Sequence, residues 1–140
     1  MSKRLRNIIL VDDDDITNYL HKELFEDLNI AEKIIVFSDG ATAFNLINKE
    51  FDNQEYNISK QRPDIIFLDL NMPAMDGFEF LDEISKWAAL SPTHTRIFLC
   101  SSSVHYKDKE RAGHYPVAGF ITKPLTPEIL KNLLTPEKEA

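Results

Sequence analysis

The residues with the most chemistry in this 140-residue chain stand where apolar runs end. Ile8 to Val11 is followed at once by four carboxylates, Asp12 to Asp15. The run Asp64 to Leu68 ends in Asp69, and Arg96 to Cys100 ends in Ser101, Ser102 and Ser103. Val117 to Ile121 ends in Thr122 and Lys123. Like charge crowded at the end of a buried strand is unfavourable unless something positive sits among it. Carboxylates from two separate runs make a hard, oxygen-rich site of the kind Mg²⁺ takes, and the ion would offset the repulsion. A carboxylate beside such an ion can attack phosphorus and give an acyl phosphate. The metal and a lysine would stabilise the transferring oxygens, and a serine hydroxyl can donate to the one that remains. No glycine-rich phosphate cradle occurs, which argues against a P-loop nucleotide site.

Each residue also has an ordinary reading. An aspartate after a strand is often a helix cap, and Asp14 or Asp15 is read that way. Asp69 fits that reading poorly, because "LNMP" follows and no helix can begin there. Serines after a strand are common loop or capping material, and a lysine there is commonly solvated. Taken together these readings leave an acidic pocket with one lysine and a hydroxyl unexplained.

Around these residues, five short apolar runs alternate with stretches of helical period. The runs are Asn7 to Val11, Lys33 to Phe37, Asp64 to Leu68, Arg96 to Cys100 and Val117 to Ile121. They are nearly continuous, as strands covered on both faces should be. Ile16, Leu20, Leu24 and Leu28 mark the apolar face of a first helix. Ala43, Phe44, Ile47 and Phe51 mark a second; Phe78, Leu81, Ile84 and Ala88 mark a third. A polar helix over His105 to Ala112 is the weakest of the set. Thr126 caps a last helix with Pro127 at its first position, and Ile129, Leu130, Leu133 and Leu134 form its buried face. The alternation predicts a parallel sheet with helices on both faces, whose ligands gather at the carboxyl ends of the strands. Asn48 to Asp64 is expected to be an extended polar loop, and residues 135–140 a frayed tail.

Composition narrows the function classes. Apolar content of 43% and charged content of 28% suit one globular domain spanning residues 1–140. A net charge of −7 offers no basic surplus for phosphate neutralisation, so nucleic acid is not an expected partner. No apolar run reaches membrane-span length, and no membrane association is expected. The single cysteine, Cys100, excludes an internal disulfide framework and suits the cytoplasm. His21, His94, His105 and His114 are scattered without metal-ligand spacing and are read as surface residues. Cys100 is read as packed, and Met72 and Met75 as packing beside the loop after Asp69.

With these residues in place, the chain resembles the receiver domain of two-component response regulators. "LVDDD" is similar to the acidic pair after the first strand, and "IIFLDLNMPAMDGFEFL" to the phosphoacceptor strand and its loop. "FLCSSS" occupies the hydroxyl position and "GFITKPL" the final strand with its lysine and proline. The resemblance implies an α/β, flavodoxin-like, doubly wound five-stranded parallel sheet. It implies Asp69 as the phosphorylated nucleophile and Mg²⁺ held by Asp12, Asp13, Asp69 and the backbone carbonyl of Asn71. Lys123 would pair with the phosphoryl group, and the Lys123–Pro124 bond is expected to be cis. Ser101 is the implied switch hydroxyl, with Ser102 its neighbour in competition. Phe120 stands at the aromatic switch position, with a plain core aromatic as the competing reading. The phosphoryl donor would be a histidine kinase or a histidine phosphotransfer protein, and a stand-alone receiver would signal by contact with a downstream protein. Two rivals are a degenerate receiver used only for binding and an aspartyl-nucleophile phosphatase. The latter needs an acid two residues after its nucleophile, where this chain has Asn71.

Overall fold

The computed structural model describes residues 5–51, 64–72, 74–84, 95–102, 105–115 and 117–134, with backbone alone at residues 6, 47–51 and 84. Five strands, β1 (Leu5–Val11), β2 (Ala31–Phe37), β3 (Ile65–Asp69), β4 (Arg96–Ser101) and β5 (Gly119–Thr122), pair in parallel in the order β2-β1-β3-β4-β5. Between and after them run α1 (Asp15–Leu28), α2 (Gly40–Phe51), α3 (Gly77–Ile84), α4 (Tyr106–Ala112) and α5 (Pro127–Leu134). This is the parallel sheet with helices on both faces that the apolar runs predict, in the flavodoxin-like doubly wound form that the resemblance implies. The helix over residues 106–112 is present, and α2 continues through Phe51, so residues 48–51 are helical rather than the start of a loop. Residues 52–63, His94, Ser103, Ala88 and the expected tail lie outside the described residues, as do the side chains of Ile47, Phe51 and Ile84.

Alternation along the strands divides the core in two. Ile9, Val11, Ile66, Leu68, Ile97 and Leu99 pack with Ala43, Phe78, Phe80, Leu81 and Ala112 from α2, α3 and α4. Ile8, Leu10, Ile65, Phe67, Phe98 and Ile121 pack on the other face with Phe25 from α1 and Leu130 from α5. Both faces of every central strand are covered, which is why those runs are continuously apolar. Met72 is buried and Met75 half-buried against the first cluster, as expected.

Polar side chains fix where the helices start. Asp14, and not Asp15, caps α1: its carboxylate accepts from the Ile16 amide at 3.1 Å and from the Thr17 hydroxyl at 2.8 Å. Asp76 and Glu79 form a reciprocal capping box at α3, each carboxylate accepting the other's amide at 2.9 Å. Thr126 caps α5 through the Ile129 amide at 3.1 Å. Of the α5 face, Leu130 is buried, and Ile129, Leu133 and Leu134 are half-buried against the core.

Helix α1 departs from its expected face. Ile16, Leu20 and Leu28 are exposed, at 69%, 55% and 40%, and Leu24 alone of that stripe packs inward. The buried side chains are Asn18, His21 and Phe25, spaced three and four apart. His21 is therefore a core residue rather than a surface one, whereas His105 and His114 are exposed.

The loop after β3 returns tightly on itself. The Gly77 amide donates to the Leu70 carbonyl at 2.9 Å, and a methyl at position 77 would stand 2.9 Å from the Asp69 carbonyl oxygen and 3.0 Å from the Leu70 Cα. Both are backbone atoms and cannot swing aside. Gly77→Ala is expected to cost about 1–3 kcal/mol through this overpacking. Denaturant unfolding of the two proteins checks it, and equal midpoints would contradict the close approach.

Candidate functional site

Strand parity decides which polar residues meet. Leu10, Phe67, Phe98 and Ile121 all face the α1–α5 side, and the same alternation carried to the strand ends places Asp12, Asp69, Cys100 and Lys123 with them. The sheet order adds the second constraint. β1 lies between β2 and β3, so the connection after β1 runs to one side and the connection after β2 returns past β1 to the other, which opens a crevice at the carboxyl ends of β1 and β3. Asp12 and Asp13 follow β1 and Asp69 ends β3, on the two sides of that crevice.

The side chains converge. Lys123 Nζ donates to Asp12 Oδ2 at 2.7 Å and to Asp69 Oδ1 at 3.2 Å. One carboxylate oxygen from each of Asp12, Asp13 and Asp69 lies within 4.8 Å of the others. Asp12 and Asp69 are buried, and Asp13 is exposed at the mouth. Every polar part of Asp12 is engaged. Its amide donates to the Phe37 carbonyl at 3.1 Å, its carbonyl accepts from Asn18 Nδ2 at 2.8 Å, and its Oδ1 accepts from the Asp14 amide at 2.9 Å.

Burial is the largest influence on Asp69, raising its pKa to about 6; the charges of Asp12 and Asp13 add to the rise and Lys123 opposes it. At Lys123 burial works against the ammonium, but the bond to Asp12 and the charges of Asp12 and Asp69 outweigh it and raise the pKa above its ordinary value. The cluster brings together three acidic side chains and one lysine, so its formal charge is negative and its metal donors are oxygens only. That donor set fits a hard divalent ion such as Mg²⁺, which takes few carboxylates and keeps waters. Receiver-type use of Mg²⁺ is therefore compatible with the residues present.

The other expected site residues fall nearby or elsewhere. Asn71 lies on the loop directly after Asp69 and Leu70, with its side chain exposed. Ser101 is wholly buried at the end of β4, and its carbonyl accepts the Lys123 amide at 2.8 Å. Its parity is that of Ile97 and Leu99, toward α3 and α4; Ser102 beyond it is exposed. Phe120 is half-buried and packs against that same cluster, so it is not gathered with the acids. The Lys123–Pro124 bond is cis, as expected. Cys100 lines the pocket under the acids, but burial pushes its thiol up to about 12, which leaves it a packed, unreactive group. Sequence reasoning missed Asn18 and His21, which line the same pocket. The available signal was a polar-polar-aromatic set at helical spacing, outweighed by the more obvious leucines.

The raised pKa of Asp69 has a consequence for metal-free protein. Between the ordinary aspartate value of 3.8 and about 6 the folded state binds more protons than the unfolded one. Asp69 therefore withdraws stability as pH rises through that window, by about 3 kcal/mol at most. Asp69→Asn lacks this penalty. Its stability relative to the wild type should grow between pH 4 and pH 7 in EDTA, read by urea unfolding; a pH-independent difference would contradict the burial and crowding described here.

Comparison with known proteins agrees with the geometry. The family model described as the response regulator receiver domain matches residues 8–135. The chain is 29% identical to the chemotaxis protein CheY of Halobacterium salinarum over 120 residues, covering 85% of each protein. A two-component response regulator from Cytophaga hutchinsonii superposes with a TM-score of 0.80 at 29% identity, covering 94% of this chain and 95% of that one. The phosphorylated cyanobacterial phytochrome response regulator RcpA superposes with a TM-score of 0.69 at 28% identity, covering 93% and 89%. A parallel sheet in this strand order, an acid crevice at its switch point and a family match over nearly the whole length have one reading: the chain belongs to the response regulator receiver domains.

Proposed function

We propose that this receiver accepts a phosphoryl group on Asp69 from a phosphohistidine donor, a histidine kinase or a histidine phosphotransfer protein. The observation that carries the reading is the buried Asp69 carboxylate held beside the Lys123 ammonium and within reach of Asp12 and Asp13. An Asp69 carboxylate oxygen attacks phosphorus, the P–N bond to the donor imidazole breaks, and the product is an acyl phosphate. Lys123 is already placed to pair with the incoming oxygens. Asp12, Asp13, Asp69 and the Asn71 carbonyl would hold Mg²⁺, which when bound neutralises charge on the transferring group. No acid stands two residues after Asp69 to make the chain an aspartyl phosphatase, and receiver domains are in general signalling domains rather than enzymes.

The phosphoryl group brings a charge of about −2 near neutral pH. In this reading Ser101 turns toward it, Phe120 moves into the space released, and the surface around α4 and β5 changes partner. The phosphoryl group selects between pre-existing states by its differential interaction with them. Ile16, Tyr19 and Leu20 give α1 an exposed apolar surface close to the acids, suited to contact with a protein donor. An acidic net charge of −7 favours output through protein contact over DNA. No helix among the described residues is long and apolar enough to cross a membrane. The lone, buried Cys100 is at home in the cytoplasm, where we place the protein.

Incubation with acetyl phosphate and Mg²⁺, followed by intact-mass measurement, tests the reading. One phosphoryl group is expected, lost on mild base treatment and absent from Asp69→Asn. No mass increment on the wild type would overturn it and leave the degenerate binding module in its place, and the same increment on Asp69→Asn would overturn Asp69 as the acceptor.

A further inference from the structure

Helix α1 exposes leucines and buries polar side chains, and the inward groups explain why. Asn18 and His21 are only 4% and 5% exposed. A buried polar group is unfavourable unless it is hydrogen-bonded, so an orientation that presents such groups to the core implies partners worth reaching. Phe25 is the one large apolar side chain of α1 that is fully buried, which leaves the helix's rotation to be set by its polar bonds. Both lead to the loops of the acid crevice. Asn18 Nδ2 reaches the Asp12 carbonyl, and His21 Nε2 accepts the backbone amide of Leu125 at 3.1 Å.

The second bond is the informative one. It joins α1 to the turn between β5 and α5, two residues beyond Lys123. Acting as acceptor at Nε2 requires a neutral ring with its proton on Nδ1. Burial favours that form by lowering the His21 pKa; Lys123 acts in the same direction and Asp12 against it. The turn is thus pinned on two sides, by Lys123 N–H on the Ser101 carbonyl and by Leu125 N–H on His21.

We propose that His21 is a positioning residue for Lys123: by accepting the Leu125 amide it fixes the backbone from which the ammonium reaches Asp12, Asp69 and the incoming phosphoryl group. The inference rests on the phosphoryl-acceptor reading above. His21 makes no hydrogen bond to Asp12, Asp13 or Asp69, so its loss should lower phosphoryl uptake without lowering Mg²⁺ affinity.

The test compares wild type, His21→Leu, His21→Gln and His21→Asn for uptake from acetyl phosphate at saturating Mg²⁺, with Mg²⁺ affinity measured by calorimetry on the same proteins. Leucine cannot accept the amide; glutamine can, through Oε1; asparagine is polar but too short, and stands in for leucine should that variant not fold. His21→Leu and His21→Asn are expected to lose roughly tenfold in uptake rate with no loss of Mg²⁺ affinity. His21→Gln should recover most of the rate. Wild-type rates in His21→Leu or His21→Asn, a loss that glutamine does not rescue, or a parallel loss of Mg²⁺ affinity would overturn the assignment. Absence of uptake by the wild type itself would instead overturn the phosphoryl-acceptor reading, and this inference with it.

Discussion

The Lys123 ammonium between Asp12 and Asp69 is the interaction on which the site depends. All three side chains are largely withdrawn from water, at 13%, 8% and 5% exposure. Two buried carboxylates facing one another with no cation would leave uncompensated charge, a situation that costs about 3–5 kcal/mol when a partner is removed from a buried pair. The ammonium offsets one of the charges. What remains is a surplus of negative charge, open toward Asp13 and solvent, which the proposed Mg²⁺ would offset.

The cation comes from far off in the sheet. β5 is three places from β1, roughly 14 Å at ordinary strand spacing, more than a lysine side chain spans. Lys123 nevertheless meets Asp12 and Asp69, and the backbone it springs from is held by the Ser101 carbonyl on one side and His21 on the other. This explains why α1 gives up an apolar inner face. Its polar residues tie together the two loops that must stay in register, the acid loop after β1 and the lysine turn after β5. The leucines left outside then form the surface beside the crevice.

Much of this was legible in the chain. The strands announced themselves because covering on both faces makes them continuously apolar, and their endings in acid, serine or lysine were visible without any structure. Parallel pairing then forces those endings to one edge. The α5 cap was equally plain, since Thr126 followed by Pro127 has a local cause. The face of α1 was not legible, because Ile16, Leu20, Leu24 and Leu28 make a better amphipathic stripe than Asn18, His21 and Phe25. Only long-range bonds, to Asp12 and to Leu125, reverse that preference, and no local pattern encodes a partner 104 positions away. Phe120 is a similar case: its position in the sequence names a family role, while its packing against the α2–α4 side is decided by strand parity.

The fold gathers Asp12, Asp13 and Asp69 with more negative charge than Lys123 offsets, and we propose that the three share one divalent ion. Thermal unfolding of metal-stripped protein titrated with Mg²⁺ at pH 7 tests it most directly, with Asp13→Ala alongside. A ligand bound only by the folded state raises stability with the logarithm of its concentration once the site saturates. The wild-type transition should climb steadily with Mg²⁺ while that of Asp13→Ala climbs far less. Melting of the wild type that ignores Mg²⁺, or an equal climb in both proteins, would contradict a shared ion site.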